Sequence, residues 1–354
     1  MDVYLTYDNL ASQDGSGAQV QRIFAIYSLA KKLKIEYLHS QILEIDFNPG
    51  DGINTLEEMS VYKNKLNESL SFLSTERIEN GNRINLKFRS LRLFLNVGTL
   101  HVVYYRLFFS LYKSWSKVTK KNYVFVVSDP YPLINNIPDS YLYLKDMLPV
   151  TNNLQPKEVF SIHLHLFRTR TNKLVQKERY TADNWYLSIL GQISHILKNH
   201  LIDYEIVLHT DISNSSSWKI PFGSNKQTVE YWKAAGVDID GQFMATPTLD
   251  VLSEFKRFSN LKIVSGINAI EAWKLMSQAD IFIMGKSSFS YVGAIYNENG
   301  IVITPDFFIP PLSSWYLVKD DLSPDLNKVP NLFYSIDQNI KEFAAKLKNN
   351  GSSL

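Results

Sequence analysis

The chain has 354 residues, of which 45% are hydrophobic and 20% charged, and its formal net charge is +2. This length suits two domains, and the dispersed charge argues against bulk nucleic-acid binding, which requires a clustered basic face. Because the chain has no cysteine, disulfides, cysteine-bound zinc and cysteine nucleophiles are excluded.

The first third of the chain alternates predicted strands and helices. Apolar residues at helical spacing predict a first helix over 19–33, and Lys31 and Lys32 near its end suit the helix dipole. A continuous apolar run at 123–127 is typical of a strand covered on both faces. The predicted elements are a strand at 2–7, helix 19–33, strand 36–39, helix 56–73, strand 84–88, a long apolar helix within 91–118, and strand 123–127.

The segment 91–118 is rich in apolar and aromatic residues but carries several polar and charged interruptions, among them Arg92, Arg106 and Lys113. A membrane-spanning helix would bury these groups at about a few kcal/mol each, so we expect a mostly buried helix. A helix at the lipid boundary, giving peripheral membrane contact, is the second interpretation, and a true span is the third. The N-terminal residues lack the basic start and long apolar run of a signal peptide, so we expect a cytoplasmic protein.

A second alternation follows a polar segment with two prolines at 147–157, which is the predicted linker. We therefore expect a first domain at 1–150, a second at 151–330, and a C-terminal segment at 331–354. Repeated βα units predict an α/β fold with parallel sheets and helices on both faces. The predicted elements are strand 159–166, helix 182–199, strand 204–209, helices 228–235 and 249–258, strand 261–264, helix 269–278, strand 280–284, helix 289–296, strand 300–304 and helix 336–348.

A glycine-rich turn joins the first predicted strand to the first predicted helix. It contains Asp14, Gly15 and Gly17, and the helix that follows carries Gln19 and Arg22. Glycines let a backbone approach a ligand closely, so the turn is typical of a sugar or phosphate site. It lacks the third glycine of a dinucleotide fingerprint and the Gly-Lys-Ser/Thr of a P-loop. An ordinary flexible turn is the alternative.

Histidines and arginines cluster at the end of the strand predicted at 159–166. The period of two places His163 and His165 on one face, and Arg168 and Arg170 follow in the loop. Arginine binds phosphate oxygens with two N–H groups at once, so the cluster indicates a diphosphate site. A metal site is a weak alternative, since no nearby acidic residue completes a ligand set. A solvated basic strand end is the other alternative.

Two further strand ends carry polar residues. His209 and Asp211 end the strand predicted at 204–209, where Asp211 either binds sugar hydroxyls or caps a turn. Ser265 and Asn268 follow the strand predicted at 261–264. Asn268 is followed three residues later by glutamate, the pattern of an N-cap, and contact with a base or ribose is the alternative. The D-x-D at 238–240 fits a divalent-metal motif poorly, because it lies in a polar loop and does not end a strand.

The strand predicted at 280–284 runs into a small-residue turn and a helix that begins with hydroxyls. The turn and first helical residues are Lys286, Ser287, Ser288, Phe289 and Ser290. This order places free backbone N–H groups and the positive end of a helix dipole at the carboxyl edge of a sheet. The pattern predicts a nucleotide or nucleotide-sugar site.

Together these motifs resemble the GT-B glycosyltransferases of the fucosyltransferase superfamily, including relatives from algae and large DNA viruses. The segment 14–33 is similar to the family opening G-G-x-G-N-Q-x-x-Q, with Gly15, Gly17 and Gln19 in matching places. The segment 279–290 is similar to the donor-site motif A-D-x-x-x-x-S-x-S-S-F-S, with Gly285 at the first serine. The family's paired arginines at the end of the strand beginning the second half are His165 and Leu166 here.

The resemblance implies two Rossmann-like domains facing each other across a cleft, with the final helix crossing back to the first domain. It implies a metal-independent, inverting transfer of a sugar, with fucose as first choice, from a nucleotide diphosphate to a glycan hydroxyl. A UDP-sugar such as xylose as donor is one alternative, and a non-catalytic nucleotide- or glycan-binding module is another. No cofactor is expected besides the donor substrate. The expected catalytic residues are Asp14 as general base, with Asp8 second, and Arg168 and His165 at the diphosphate.

Overall fold

The structure is a computed structural model that describes residues 2–8, 15–45, 56–73, 81–86, 98–127, 130, 157–166, 180–210, 249–307, 309–319 and 324–351. The chain divides into two compact units, and the change of unit lies between Val150 and Thr151. In the described residues each unit has one sheet, and every strand pairing there is parallel. The predicted α/β fold class with parallel sheets is confirmed.

The first unit contains a four-stranded sheet with the order β2-β1-β4-β3. Its described elements are β1 (Val3–Tyr7), α1 (Ser16–Leu33), β2 (Glu36–Leu38), α2 (Leu56–Ser69), a short 3-10 helix (Ser71–Leu73), β3 (Gly81–Leu86), α3 (Gly98–Thr119) and β4 (Asn122–Val127). The central strands β1 and β4 are buried almost throughout, as expected for strands covered on both faces.

Helix α1 begins three residues earlier than predicted. Gly15 takes the N-cap position in an extended conformation, and its carbonyl accepts hydrogen bonds from the N–H groups of Ala18 and Gln19. Gly17 therefore lies within the helix and not in the turn before it. Lys34 ends the helix in the left-handed conformation, with a φ of 60°.

Helix α3 packs on the sheet through one face only. Tyr105 and Phe109 are buried, and the ring of Phe109 contacts that of Phe125 in β4 at 5.1 Å between centroids. Arg106 donates to the backbone carbonyl of Lys32 at the end of α1, which brings the two helices together. The prediction that this helix is mostly buried is wrong, because a second apolar face of α3 is exposed. Within the described part of the chain, none of the helices is long and apolar enough to cross a membrane.

The second unit contains a six-stranded sheet with the order β10-β9-β8-β5-β6-β7. Its described elements are β5 (Phe160–Leu166), α4 (Asp183–Asn199), β6 (Tyr204–Thr210), a 3-10 helix (Leu249–Arg257), β7 (Leu261–Val264), α5 (Ala269–Met276), β8 (Ile281–Ile283), α6 (Ser288–Tyr296), β9 (Ile301–Thr304), β10 (Tyr316–Leu317), a 3-10 helix (Leu326–Lys328) and α7 (Leu332–Gly351).

The core of this unit lies between one face of the sheet and helices α4 and α7. Alternate residues of β5, from Phe160 to Leu166, join it together with Trp185 of α4. We expected the final helix to cross back to the first domain. Its buried residues belong to the core of the second unit, and the crossing stays a prediction: Leu332, Ile336, Ile340 and Phe343.

Several elements differ from the prediction or lie outside the described residues. The segment Leu249–Arg257 is a 3-10 helix where an α-helix was predicted, and the two-residue strand β10 was not predicted. The helix predicted at 228–235 lies outside the described residues, as does the linker at 147–157 except for Lys157.

Candidate functional site

The order of strands in the second sheet reverses between β5 and β8. Counted from β5, the order reads 3-2-1-4-5-6, which is that of doubly wound nucleotide-binding folds. In such sheets a ligand binds in the crevice outside the carboxyl ends of the two strands where the order reverses. Here β5 ends at Leu166, and β8 ends at Ile283 and is followed by the turn from Met284 to Ser287.

A buried hydrogen-bond network joins these two strand ends. The Ser290 hydroxyl lies 2.7 Å from Nδ1 of His165 and accepts a hydrogen bond of 3.0 Å from the N–H of Gly285. Ser290 and His165 are only 0% and 4% exposed. Because a hydroxyl has one proton and two lone pairs, Ser290 serves both partners, and the tautomer of His165 decides which atom donates. The network fixes the imidazole at the point where the strand order reverses.

Glycine at position 285 is explained by the close approach of His165. A Cβ atom there would lie 2.7 Å from the carbonyl oxygen of His165 and 3.3 Å from the hydroxyl of Tyr186. The first distance is too short for a real contact, so a side chain would push β5 and the turn apart. The same Tyr186 hydroxyl donates to the His165 carbonyl at 3.4 Å.

The start of α6 is capped and held by aromatic contacts. Ser287 is the N-cap, and its hydroxyl accepts from the N–H of Phe289 at 3.1 Å. The Phe289 ring lies between His165, at 5.2 Å, and Trp273 of α5, at 5.3 Å between ring centroids. The indole N–H of Trp273 also donates to the Phe289 carbonyl. The helix tip is therefore placed rigidly beside the end of β5.

The remaining predicted residues of this turn are also enclosed. Lys286, Ser287 and Ser288 are all buried, with Lys286 9% exposed. A buried lysine and two buried serines at a helix start suit a phosphate group chemically. The positive end of the α6 dipole lies at the same edge, because the helix begins directly after β8.

His163 and His209 form a second buried pair on the same face of the sheet. Nδ1 of His163 lies 3.0 Å from Nε2 of His209, and the prediction that His163 and His165 share a face is confirmed by their alternation with core residues of β5. Burial lowers the pKa of His209 to about 4. Burial, His209 and Lys157 together lower the pKa of His163. Both imidazoles are thus neutral at pH 7.

A ring nitrogen of the histidine pair is buried without a hydrogen-bond partner. Nδ1 of His209 is buried and makes no hydrogen bond. Across the described ranges, no group of three or more His, Cys, Asp or Glu side chains has the arrangement needed to hold a metal ion.

Two of the predicted site residues, Ser265 and Asn268, follow β7. Asn268 is the N-cap of α5, and its side chain accepts from the N–H of Glu271 at 3.1 Å, which is the structural alternative for this residue. Ser265 is half-buried directly after β7, and Gly266 beside it has a φ of 69°.

Five predicted residues or motifs lie outside the described residues: Asp14, Arg168, Arg170, Asp211 and the D-x-D at 238–240.

The glycine-rich motif belongs to the first unit. Gly15 and Gly17 begin α1 at the carboxyl edge of β1, and Arg22 is half-buried one turn further on. The buried amide of Gln19 donates to the carbonyl of Glu44 at 2.6 Å, so it holds the segment after β2 against the helix. The backbone N–H of Asp8, the second choice for general base, donates to the carbonyl of Val127.

Sequence patterns missed the residues that support the site from other elements. Tyr186 and Trp273 were assigned only to helices, yet they contact His165 and Phe289. Each is buried on an apolar helix face, so nothing in its local sequence separates it from an ordinary core aromatic residue.

No family model matches the chain, and no curated protein matches it in sequence. Solved structures resemble it loosely. A crystal structure of POFUT1 in complex with GDP is 9% identical, covers 86% of this chain and 98% of its own, and has a TM-score of 0.37. E. coli heptosyltransferase WaaC with ADP is 9% identical, with coverages of 96% and 99% and a TM-score of 0.35. NodZ alpha-1,6-fucosyltransferase co-crystallized with GDP is 11% identical, with coverages of 83% and 91% and a TM-score of 0.27. With TM-scores of 0.37 or lower, these likenesses do not establish the function of this chain.

Proposed function

We propose that this chain is a glycosyltransferase that moves a sugar, with fucose as first choice, from a nucleotide diphosphate to a glycan hydroxyl. The reaction proposed is metal-independent and inverting. The observation that carries the proposal is the contact of Ser290 with His165 at the reversal of strand order in the second sheet. That is where doubly wound sheets bind nucleotides.

The chemistry of this edge favours a diphosphate. Ser287 and Ser288 supply hydroxyls, the start of α6 supplies N–H groups, and Lys286 supplies a cation. Arg168 and Arg170 follow β5 by two and four residues, and we assign them to the same diphosphate.

A leaving nucleotide gains negative charge in the transition state of sugar transfer. Donors fixed in advance at the phosphate stabilise that charge without a metal ion, and the rigid network around His165 suits this task. The acceptor hydroxyl needs a general base. Asp14, with Asp8 as second choice, is proposed for that role because both lie between β1 and α1 in the sequence.

The donor base and sugar are tested by a thermal-shift panel of GDP, UDP, ADP and their sugars. A ligand that binds only the folded chain stabilises it by about 2.7 kcal/mol at a hundred times its Kd. We expect GDP and GDP-fucose to raise the Tm most. A larger shift with UDP and UDP-xylose would favour the alternative donor, and no shift with any nucleotide would overturn the proposal.

A non-catalytic nucleotide- or glycan-binding module is the second candidate, and one observation favours it. Where the resembling family has paired arginines, this chain has His165, held by Ser290, and Leu166, which belongs to the hydrophobic core. Neither position presents a guanidinium group to a diphosphate. Donor turnover separates the two candidates: consumption of GDP-fucose that is lost in Arg168→Ala supports the enzyme, whereas binding without any consumption supports the module.

A further inference from the structure

Helix α3 carries an apolar face that the first unit does not cover. Leu107, Leu111 and Val118 are 62%, 71% and 74% exposed, and Trp115 is 56% exposed. At 3.6 residues per turn these side chains, with Val103 and Tyr104, project into one sector of about 120°. The opposite sector holds the residues packed on the sheet. The exposed apolar residues therefore form one continuous stripe along the helix.

Cationic side chains flank this stripe on one side. Arg106, Lys113 and Lys117 occupy the sector between the stripe and the buried face, and Lys120 and Lys121 follow at the C-terminal end. All five are exposed. Lys113 lies 3.6 Å from Asp2, whereas Lys117 has no ion-pair partner among the described residues.

The helix and its flanking sequence contain no acidic residue, and the carboxylate beside Lys113 comes from Asp2 in another part of the chain. From residue 81 to residue 128 there is no aspartate or glutamate. A helix with leucine and tryptophan on one face, lysine and arginine beside it and no acidic residue has the composition of a helix that lies in the interface of an anionic membrane. Tryptophan and tyrosine, here Trp115 and Tyr104, are the residues enriched at the headgroup level.

We propose that the outer face of α3 is a docking surface for an anionic lipid membrane, with its axis parallel to the membrane plane. Leu107, Leu111 and Val118 enter the acyl boundary, and Arg106 and Lys117 meet lipid phosphates. The charge pattern favours lipid over a second copy of this chain, because a symmetric pair would bring the same cations together without compensation. The inference is independent of the proposed transferase activity.

The first test is co-sedimentation of the full chain with phosphatidylserine-containing vesicles and with pure phosphatidylcholine vesicles. We expect binding to the anionic vesicles that weakens with salt, and much weaker binding to the neutral ones. The variant Leu107→Gln/Leu111→Gln should bind about tenfold or more weakly. The matched control is Leu201→Gln in the second unit, which removes an apolar side chain that is 91% exposed and should change nothing.

The second test distinguishes the contribution of positive charge to membrane binding from the contribution of apolar insertion. Lys117→Glu should weaken binding to anionic vesicles, whereas Lys256→Glu in the second unit should not. Vesicles should shift the tryptophan fluorescence of the wild type to the blue, and Trp115→Phe should lose that shift. Circular dichroism melts check that each variant is folded.

Three results would overturn the proposal. These are no binding of the wild type at low salt, equal binding of wild type and Leu107→Gln/Leu111→Gln, or a stable dimer in light scattering that this variant dissociates.

Discussion

The hydroxyl of Ser290 lies 2.7 Å from Nδ1 of His165, a contact that joins two strand ends at the reversal of the second sheet. His165 belongs to the cluster of basic side chains at the end of β5, and Ser290 lies in the first turn of α6. Since a single buried bond connects them, the diphosphate site proposed here depends on a short list of side chains that substitution can test.

Ser290→Ala removes an acceptor that Gly285 requires and a partner that His165 requires. A buried N–H left without an acceptor costs about 1–3 kcal/mol in the free energy of unfolding. We also expect the affinity for the stabilising nucleotide to fall about tenfold, which corresponds to about 1.4 kcal/mol. Urea unfolding and titration calorimetry measure the two effects. The control is Ser277→Ala, because the Ser277 hydroxyl is bonded at an exposed site. Wild-type affinity in Ser290→Ala would remove this residue from the site.

Gly285→Ala places a Cβ atom against the carbonyl oxygen of His165. Overpacking of this kind costs about 1–3 kcal/mol, and the displaced turn should also weaken nucleotide binding. Gly191→Ala is the matched control, since it lies in the middle of α4 with nothing within 4 Å of the new Cβ atom. That change should stabilise the fold by about 0.5–1 kcal/mol. If Gly285→Ala unfolds at the same urea concentration as the wild type and as Gly191→Ala, the close approach of His165 does not exclude a side chain at position 285.

Asp280→Ala affects the opposite edge of the same sheet. Its carboxylate accepts hydrogen bonds from the N–H and hydroxyl of Ser161 and from the ammonium group of Lys157. We expect a loss of about 1–3 kcal/mol in the free energy of unfolding. Nucleotide affinity should stay unchanged, because the substituted residue precedes β8 and the site follows it. Glu205→Ala, which breaks an exposed pair with Lys262, should cost less than about 1 kcal/mol. Nucleotide affinity reduced as strongly as in Ser290→Ala would contradict this separation of the two edges.

Acid should destabilise the second unit through its buried histidine pair. Burial lowers the pKa of His209 to about 4 in the folded chain, against about 6.5 in the unfolded chain. The unfolded chain therefore binds more protons between these values, so stability is full above about pH 6.5 and falls as the pH approaches 4. The His209 contribution is at most about 3 kcal/mol.

Urea unfolding at a series of pH values checks this dependence. His163→Phe/His209→Phe should flatten the decrease, because neither imidazole remains to take up a proton on unfolding. His195→Asn, at an exposed position of α4, should leave the curve unchanged. His39 in the first unit, whose pKa burial also lowers to about 4, leaves a residual decrease. An equally steep curve in the double variant would show that the pair is not responsible.

Local patterns predicted the elements well where one period dominated. The strand β7 was predicted residue for residue, and β5 to within one residue. In both strands the apolar residues have clear boundaries with the polar residues on either side. The N-cap role of Asn268 was readable from its spacing to Glu271. The 3-10 helix at Leu249–Arg257 has an apolar spacing that an α-helix shares, so periodicity alone did not separate the two.

The exposed stripe of α3 shows the limit of such patterns. An apolar residue contributes the same signal whether it faces the core or the solvent, so the sequence indicated a buried helix where Leu111 is exposed. Only the direction in which the helix packs on the sheet distinguishes the two faces.

The sequence by itself determined the α/β class, the face shared by His163 and His165, and the hydroxyl-rich start of α6, because each follows from residues a few positions apart. Only the tertiary structure decided that β5 lies next to β8, and hence that Ser290 meets His165 and that position 285 must be glycine. Those contacts join segments more than a hundred residues apart, and no local period encodes which strands become neighbours. The physical reason is that strand order is set by packing of the whole sheet against its helices. In that packing each side chain contacts residues from other segments of the chain.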